Sequence, residues 1–173
     1  PRFAGSSSVQ QLQLAGELHK KYPGTWVQTH LSENRDEIEW VAKIHPDTSD
    51  YLNAYEKYGL VGQRSVFAHC IHLTDSERGR LAEAGGKVAF CPSSNMFLGS
   101  GLLDLEQLKR DEIAVSLATD VGAGTSLSML RTMGDAYKVC QLSGYSLSAM
   151  EAFAMSTLCL LYTSPSPRDV EET

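Results

Sequence analysis

The feature that most constrains this chain is a regular alternation of short β-rich runs with segments of helical period. Apolar residues at helical spacing through 9–22 stop at Pro23-Gly24, and a β-rich run follows over 25–30. Asn34 then stands as a helix cap ahead of Ile38, Val41 and Ile44, and a further helix is expected over 50–58. A second strand is expected at 65–69, and Thr74-Asp75-Ser76-Glu77 opens a helix with the reciprocal Thr/Glu pattern of a capping box. Gly85-Gly86 ends that helix, 87–90 forms a third strand, and 91–101 reads as a long polar loop. A helix over 102–110, a strand over 113–118, a Gly-rich loop over 119–125 and helices over 126–141 and 147–158 complete the pattern.

Strands separated by helices require crossover connections, and crossovers build parallel sheets. The fold class is therefore α/β. Four strands are readable, with a possible stub at Arg2-Phe3-Ala4. A closed (β/α)8 TIM-type barrel needs eight strands and about 250 residues, so the 173-residue chain reads as part of such a barrel, about half. One domain is expected over 1–158. From 159 to 173 the pattern breaks into a Pro/Ser-rich tail that resembles a translated sequencing-adapter read and is taken as non-native or disordered. Pro1 in place of an initiator Met leads us to expect that the chain starts inside a longer protein.

Composition narrows the function. The net charge of −6, with no Lys/Arg cluster, argues against nucleic acid or an anionic membrane as partner. No apolar run reaches the length of a membrane span, and no secretory leader is readable. Cys70, Cys91, Cys140 and Cys159 form no CxxC pair and read as free thiols, which places the protein in the cytoplasm.

The chemistry lies where the strands end. His30, His69, Asn95 and Asp120 each fall just past the C-terminal end of a strand, the side on which α/β barrels gather their active sites. Taken singly, each has an ordinary structural reading: a satisfied histidine, or a turn aspartate in Thr119-Asp120-Val121-Gly122. Together, two imidazoles and a carboxylate are a ligand set suited to Zn²⁺ or Fe²⁺. Glu33, three residues after His30, either moves protons beside such a metal or is a first-turn carboxylate favouring a helix N-terminus. Asn95 and Ser93 either shape a pocket or belong to a turn held by Pro92 and Gly99. His19 and His45 read as solvated surface residues. His72 carries no expected metal role, and Gly122-Ala123-Gly124 lacks the Lys-Ser/Thr of a phosphate loop.

The longer motifs are specific. Trp26-Val27-Gln28-Thr29-His30-Leu31-Ser32-Glu33-Asn34 resembles the fifth-strand motif of the guanine deaminases, a family of the amidohydrolase superfamily. Phe67-Ala68-His69 is similar to their sixth-strand histidine segment. The run from Ala89-Phe90-Cys91-Pro92 to Gly99-Ser100-Gly101 resembles their seventh-strand loop, Thr119-Asp120-Val121-Gly122 their eighth-strand segment, and Pro1-Arg2-Phe3-Ala4 the end of their fourth strand. The resemblance implies strands five to eight of the barrel and zinc-dependent hydrolysis of guanine to xanthine and ammonia. It implies His30 and Asp120 as zinc ligands, with Zn²⁺ preferred to Fe²⁺. Glu33, His69 and Asp120 become the catalytic residues. Arg2 is placed against the purine's polar edge, and Phe3 on its ring. Guanine and water are the implied substrates, and a homodimer the implied assembly of the full-length protein.

One element of that family's pattern is missing. The superfamily takes two further zinc ligands from a His-x-His pair on the first strand, and this sequence has none; His69-Cys70-Ile71-His72 has the wrong spacing. We therefore expect a fragment that is inactive by itself and marginally folded, with unpaired strand edges. The alternatives are a related amidohydrolase deaminating another aminated heterocycle, and a barrel scaffold without catalysis.

Overall fold

The computed structural model describes residues 1–158; the expected tail over 159–173 lies outside them. Four strands, β1 (Val27–Leu31), β2 (Ser65–His69), β3 (Lys87–Phe90) and β4 (Val115–Leu117), form one sheet in the order β1-β2-β3-β4. Every pairing is parallel. Sequential parallel order with a helical crossover between neighbours is the topology of a barrel segment. Among the described residues β1 and β4 each have a neighbour on one side only.

The crossovers are α1 (Val9–Lys21) before β1, then α2 (Arg35–Ile44) and α3 (Asn53–Glu56) between β1 and β2. α4 (Asp75–Ala84) joins β2 to β3, and α5 (Pro92–Leu98) and α6 (Leu105–Arg110) join β3 to β4. α7 (Met129–Leu142) and α8 (Ala149–Ser156) follow. Side chains explain where these helices begin. Ser8 with Gln11 and Thr74 with Glu77 make full capping boxes, while Asn34, Asp104, Ser128 and Ser148 each accept from a first-turn N–H.

Strand alternation sends Val27, Leu31, Phe67, Val88, Phe90, Val115 and Leu117 into one core beneath the helices. Val66, Ala68, Ala89 and Cys91 form a second, small-residue cluster. The helices at the two ends of the sheet keep apolar side chains exposed: Leu14 and Leu18 on α1, Leu130 and Tyr137 on α7, Phe153 on α8. The sequential parallel topology is that of part of a (β/α)8 barrel, and among the described residues its edges and apolar flanks are open.

Four expectations need correction. The loop expected over 91–101 contains α5, because Pro92 pre-sets φ at the first helical position and Gly99 closes the helix at φ 68°. The helix expected over 50–58 shrinks to the single turn of α3. Arg2-Phe3-Ala4 is not a strand: Ala4–Ser6 turns into a 3-10 helix, so only the Arg2 carbonyl pairs with β1, accepting from the His30 N–H at 3.1 Å. His45 is buried, not solvated, and its Nε2 lies 3.3 Å from the Ala4 carbonyl. Cys70, Cys91 and Cys140 are free and buried; Cys159 lies outside the described residues. Among the described residues no helix is long and apolar enough to cross a membrane.

Candidate active site

The C-terminal ends of β1, β2 and β4 converge. His30 comes from β1, His69 from the last position of β2, and Asp120 from the turn three residues past β4. One ligand atom from each lies within 4.8 Å of the others. Alternation alone would send His69 to the side of its register partner Leu31, away from His30. A left-handed backbone at His69 (φ 71°) redirects the chain, and the two imidazoles stack with centroids 5.1 Å apart. Cys70 (φ 54°), Ser32 (φ 49°) and Asp120 (φ 46°) share this conformation. Such strain gathers where a site, not the core, dictates the backbone. Behind Asp120 the chain doubles back so tightly that a Cβ at Gly124 would meet the Thr119 carbonyl at 1.8 Å.

Both imidazoles are held from behind. His30 Nδ1 donates to the Arg2 carbonyl at 2.7 Å, so its Nε2 keeps a lone pair. His69 is 1% exposed, and its Nδ1 lies 2.8 Å from Asn95 Oδ1. Its Nε2 is buried with no hydrogen-bond partner. That atom faces Glu33 Oε2 at 3.6 Å and Asp120 Oδ2 at 3.9 Å. A buried polar atom with no partner, aimed at two carboxylates beside a second imidazole lone pair, fits a divalent cation such as zinc.

The carboxylates differ in support. Glu33 is part-buried and accepts from Ser100 Oγ at 3.4 Å, while Asp120 is freer. A third carboxyl, Glu37 on α2, was not read from the sequence as a site residue. Burial raises its pKa, against the hydrogen bond from Tyr51 that would lower it. The Cys91 thiol is pushed up to about 12 by burial and by the Asp120 charge, so it is not a thiolate nucleophile at neutral pH.

A cavity of 280 Å³ opens beside this cluster, lined by Arg2, Phe3, His30, Glu33, Asn34, Asp36, Glu37 and Trp40. Arg2 is exposed, with its guanidinium 5.5 Å from the Phe3 centroid. Phe3 stands edge-on to Trp40 at 5.8 Å, and a Cβ at Gly5 would meet the Phe3 ring at 2.5 Å. The expected residues thus come together: His30, Glu33, His69 and Asp120 at the strand ends, Arg2 and Phe3 at the cavity. Asn95 and Ser93 do not line it; Asn95 sits behind His69, and Ser93 Oγ is 2.8 Å from Thr125 Oγ1. A larger groove of 710 Å³, between α1 and residues 57–64, gathers no comparable ligand set.

The chain as a whole has counterparts among known proteins. The amidohydrolase family model matches residues 1–159. Guanine deaminase of Escherichia coli (strain K12) is 52% identical over 91% of this chain and 36% of its own length. The solved structure of E. coli guanine deaminase superposes with a TM-score of 0.92 over 94% of this chain and 38% of that one, at 50% identity. That of guanine deaminase from C. acetobutylicum, with guanine bound in its active site, superposes at 0.88 and 34% identity, over 94% and 41%. An adenosine deaminase from Xanthomonas campestris with bound zinc shares the fold at 23% identity and a TM-score of 0.83, over 92% and 37%. The chain spans 36% of the length of the E. coli relative.

Proposed function

Since this chain belongs to the amidohydrolase family, we propose that it is the strand-five-to-eight half of a guanine deaminase, with its catalytic domain over 1–158. The observation that carries the reading is the convergence of His30, His69 and Asp120 within 4.8 Å, with Glu33 beside them. His30 and Asp120 would hold zinc, and the remaining ligands come from a His-x-His pair outside this chain. Zinc held there would supply the Lewis acidity that makes water a nucleophile near neutral pH.

The reaction adds water to C2 of guanine and expels the amine as ammonia, leaving xanthine. Glu33 takes one proton from the attacking water and gives it to the ring nitrogen, then takes the second from the new hydroxyl at C2 and gives it to the departing amine. His69, through Nε2, accepts a hydrogen bond from the reacting centre, and Asp120 orients the water. Arg2 donates to the O6 and N7 edge, where its planar fork matches two acceptors. Phe3, backed by Trp40, packs against the ring and covers one face from water. The likeness to the guanine deaminases supports this choice of substrate. The full-length protein is read as a cytoplasmic homodimer, and 159–173 as a tail outside the catalytic domain.

The test is to give the zinc-replete full-length protein guanine, adenine, cytosine and an aminated triazine, and to measure ammonia with the deaminated product. Xanthine from guanine at the highest kcat/KM is expected. Faster turnover of another ring moves the assignment to a related deaminase. No ammonia from any of them leaves a barrel scaffold without catalysis.

A further inference from the structure

Asn95 sits in the first turns of α5 and is 1% exposed, yet its side chain touches neither the cavity nor solvent. Its backbone is fixed on both sides. Its N–H donates to the Cys91 carbonyl at 3.0 Å, and its carbonyl accepts from Ser100 N at 2.9 Å. Its Oδ1 meets His69 Nδ1 at 2.8 Å. An amide oxygen only accepts, so the proton of this bond belongs to Nδ1. In the neutral ring, which has a single N–H, His69 Nε2 then presents a lone pair. That is the buried, partnerless atom that faces Glu33 and Asp120.

Resting on the functional reading above, we infer that Asn95 is a positioning residue: it fixes His69 in the Nδ1–H tautomer and holds the Nε2 lone pair on the reacting centre. Without the acceptor at 95, the ring loses both its orientation and its choice of tautomer. The Nε2–H form would place a proton where the site needs an acceptor.

The full-length protein tests this in two ways. Asn95→Leu, close in shape but without an acceptor, is expected to lower kcat about 10- to 100-fold while the guanine KM stays within about two-fold. Asn95→Asp, which keeps the acceptor, recovers most of that loss. Adding Asn95→Leu to His69→Ala makes the enzyme no slower than His69→Ala alone. Independently of turnover, 15N spectra of histidine-labelled, zinc-free protein are expected to show His69 protonated at Nδ1, its signal assigned by loss in His69→Ala. In Asn95→Leu that signal shifts to a tautomer mixture. An Nε2–H tautomer in the wild type, or fully additive losses in the double variant, overturns the inference. If the wild type makes no xanthine, the functional reading falls, while the spectra still decide what Asn95 does to His69.

Discussion

The two sides of this half-barrel follow different rules. On the helical layer, ion pairs and helix caps match polar groups to partners. Arg80 bonds Asp50 and Glu56, Arg78 bonds Asp75 and Asp111, and six helices begin on side-chain caps. At the C-terminal ends of the strands the pattern reverses. Among the described residues, the buried side-chain atoms left without partners are Ser32 Oγ, His69 Nε2, Ser94 Oγ and Asn95 Nδ2, all at that rim. Of the five non-glycine residues with positive φ among the described residues, four lie there too. Partnerless atoms and left-handed backbone each cost on the order of 1–3 kcal/mol, and the packed layer offsets them. Local consistency marks the scaffold, and its local failure marks the site.

That contrast can be broken or sharpened by substitution in the full-length protein. The largest effect is expected at the rim: Glu33→Gln should lower kcat about 10²- to 10⁴-fold in steady-state assays, with the thermal midpoint unchanged. In the core, Phe67→Ala removes a fully buried ring packed against Tyr55 and should cost about 3–5 kcal/mol in denaturant titration. Gly16→Ala comes next, because its Cβ would meet the Tyr58 carbonyl at 2.0 Å. We expect a loss of about 1–3 kcal/mol, again by denaturant titration. Thr74→Ala removes one capping box, at about 1 kcal/mol by thermal melting, and leaves kcat as it was. A rim substitution that mainly destabilised, or a scaffold substitution that mainly slowed turnover, would dissolve the distinction.

The sequence carried the parts that follow from period and punctuation. The four strands and their parallel pairing, the Thr74 capping box and the placement of His30, His69 and Asp120 at strand ends were all readable, because alternation and helix signals are local. What tertiary contact decides was not. His45 looks like a loop histidine until the Ala4 carbonyl is found above it. α5 carried a signal in Pro92 and Gly99, but Cys-Pro-Ser-Ser-Asn has none of the apolar period that usually reveals a helix. The turn of His69 towards His30 depends on a left-handed backbone; histidine is enriched there over most residues, but too weakly to single out one position. Asn95 was readable as polar and loop-adjacent, but its bond to His69 spans 26 positions. Glu37 was hidden for the opposite reason: it looks like an ordinary first-turn carboxylate of α2.

The account stands most directly on the metal. Zinc per chain should be measured in the purified full-length protein and in its His30→Ala variant, after both are dialysed against a mild chelator and shown to be folded. Close to one zinc in the wild type, and almost none in the variant, is the expected result. A folded wild type that holds no zinc, or a His30→Ala variant that holds as much as the wild type, would contradict it.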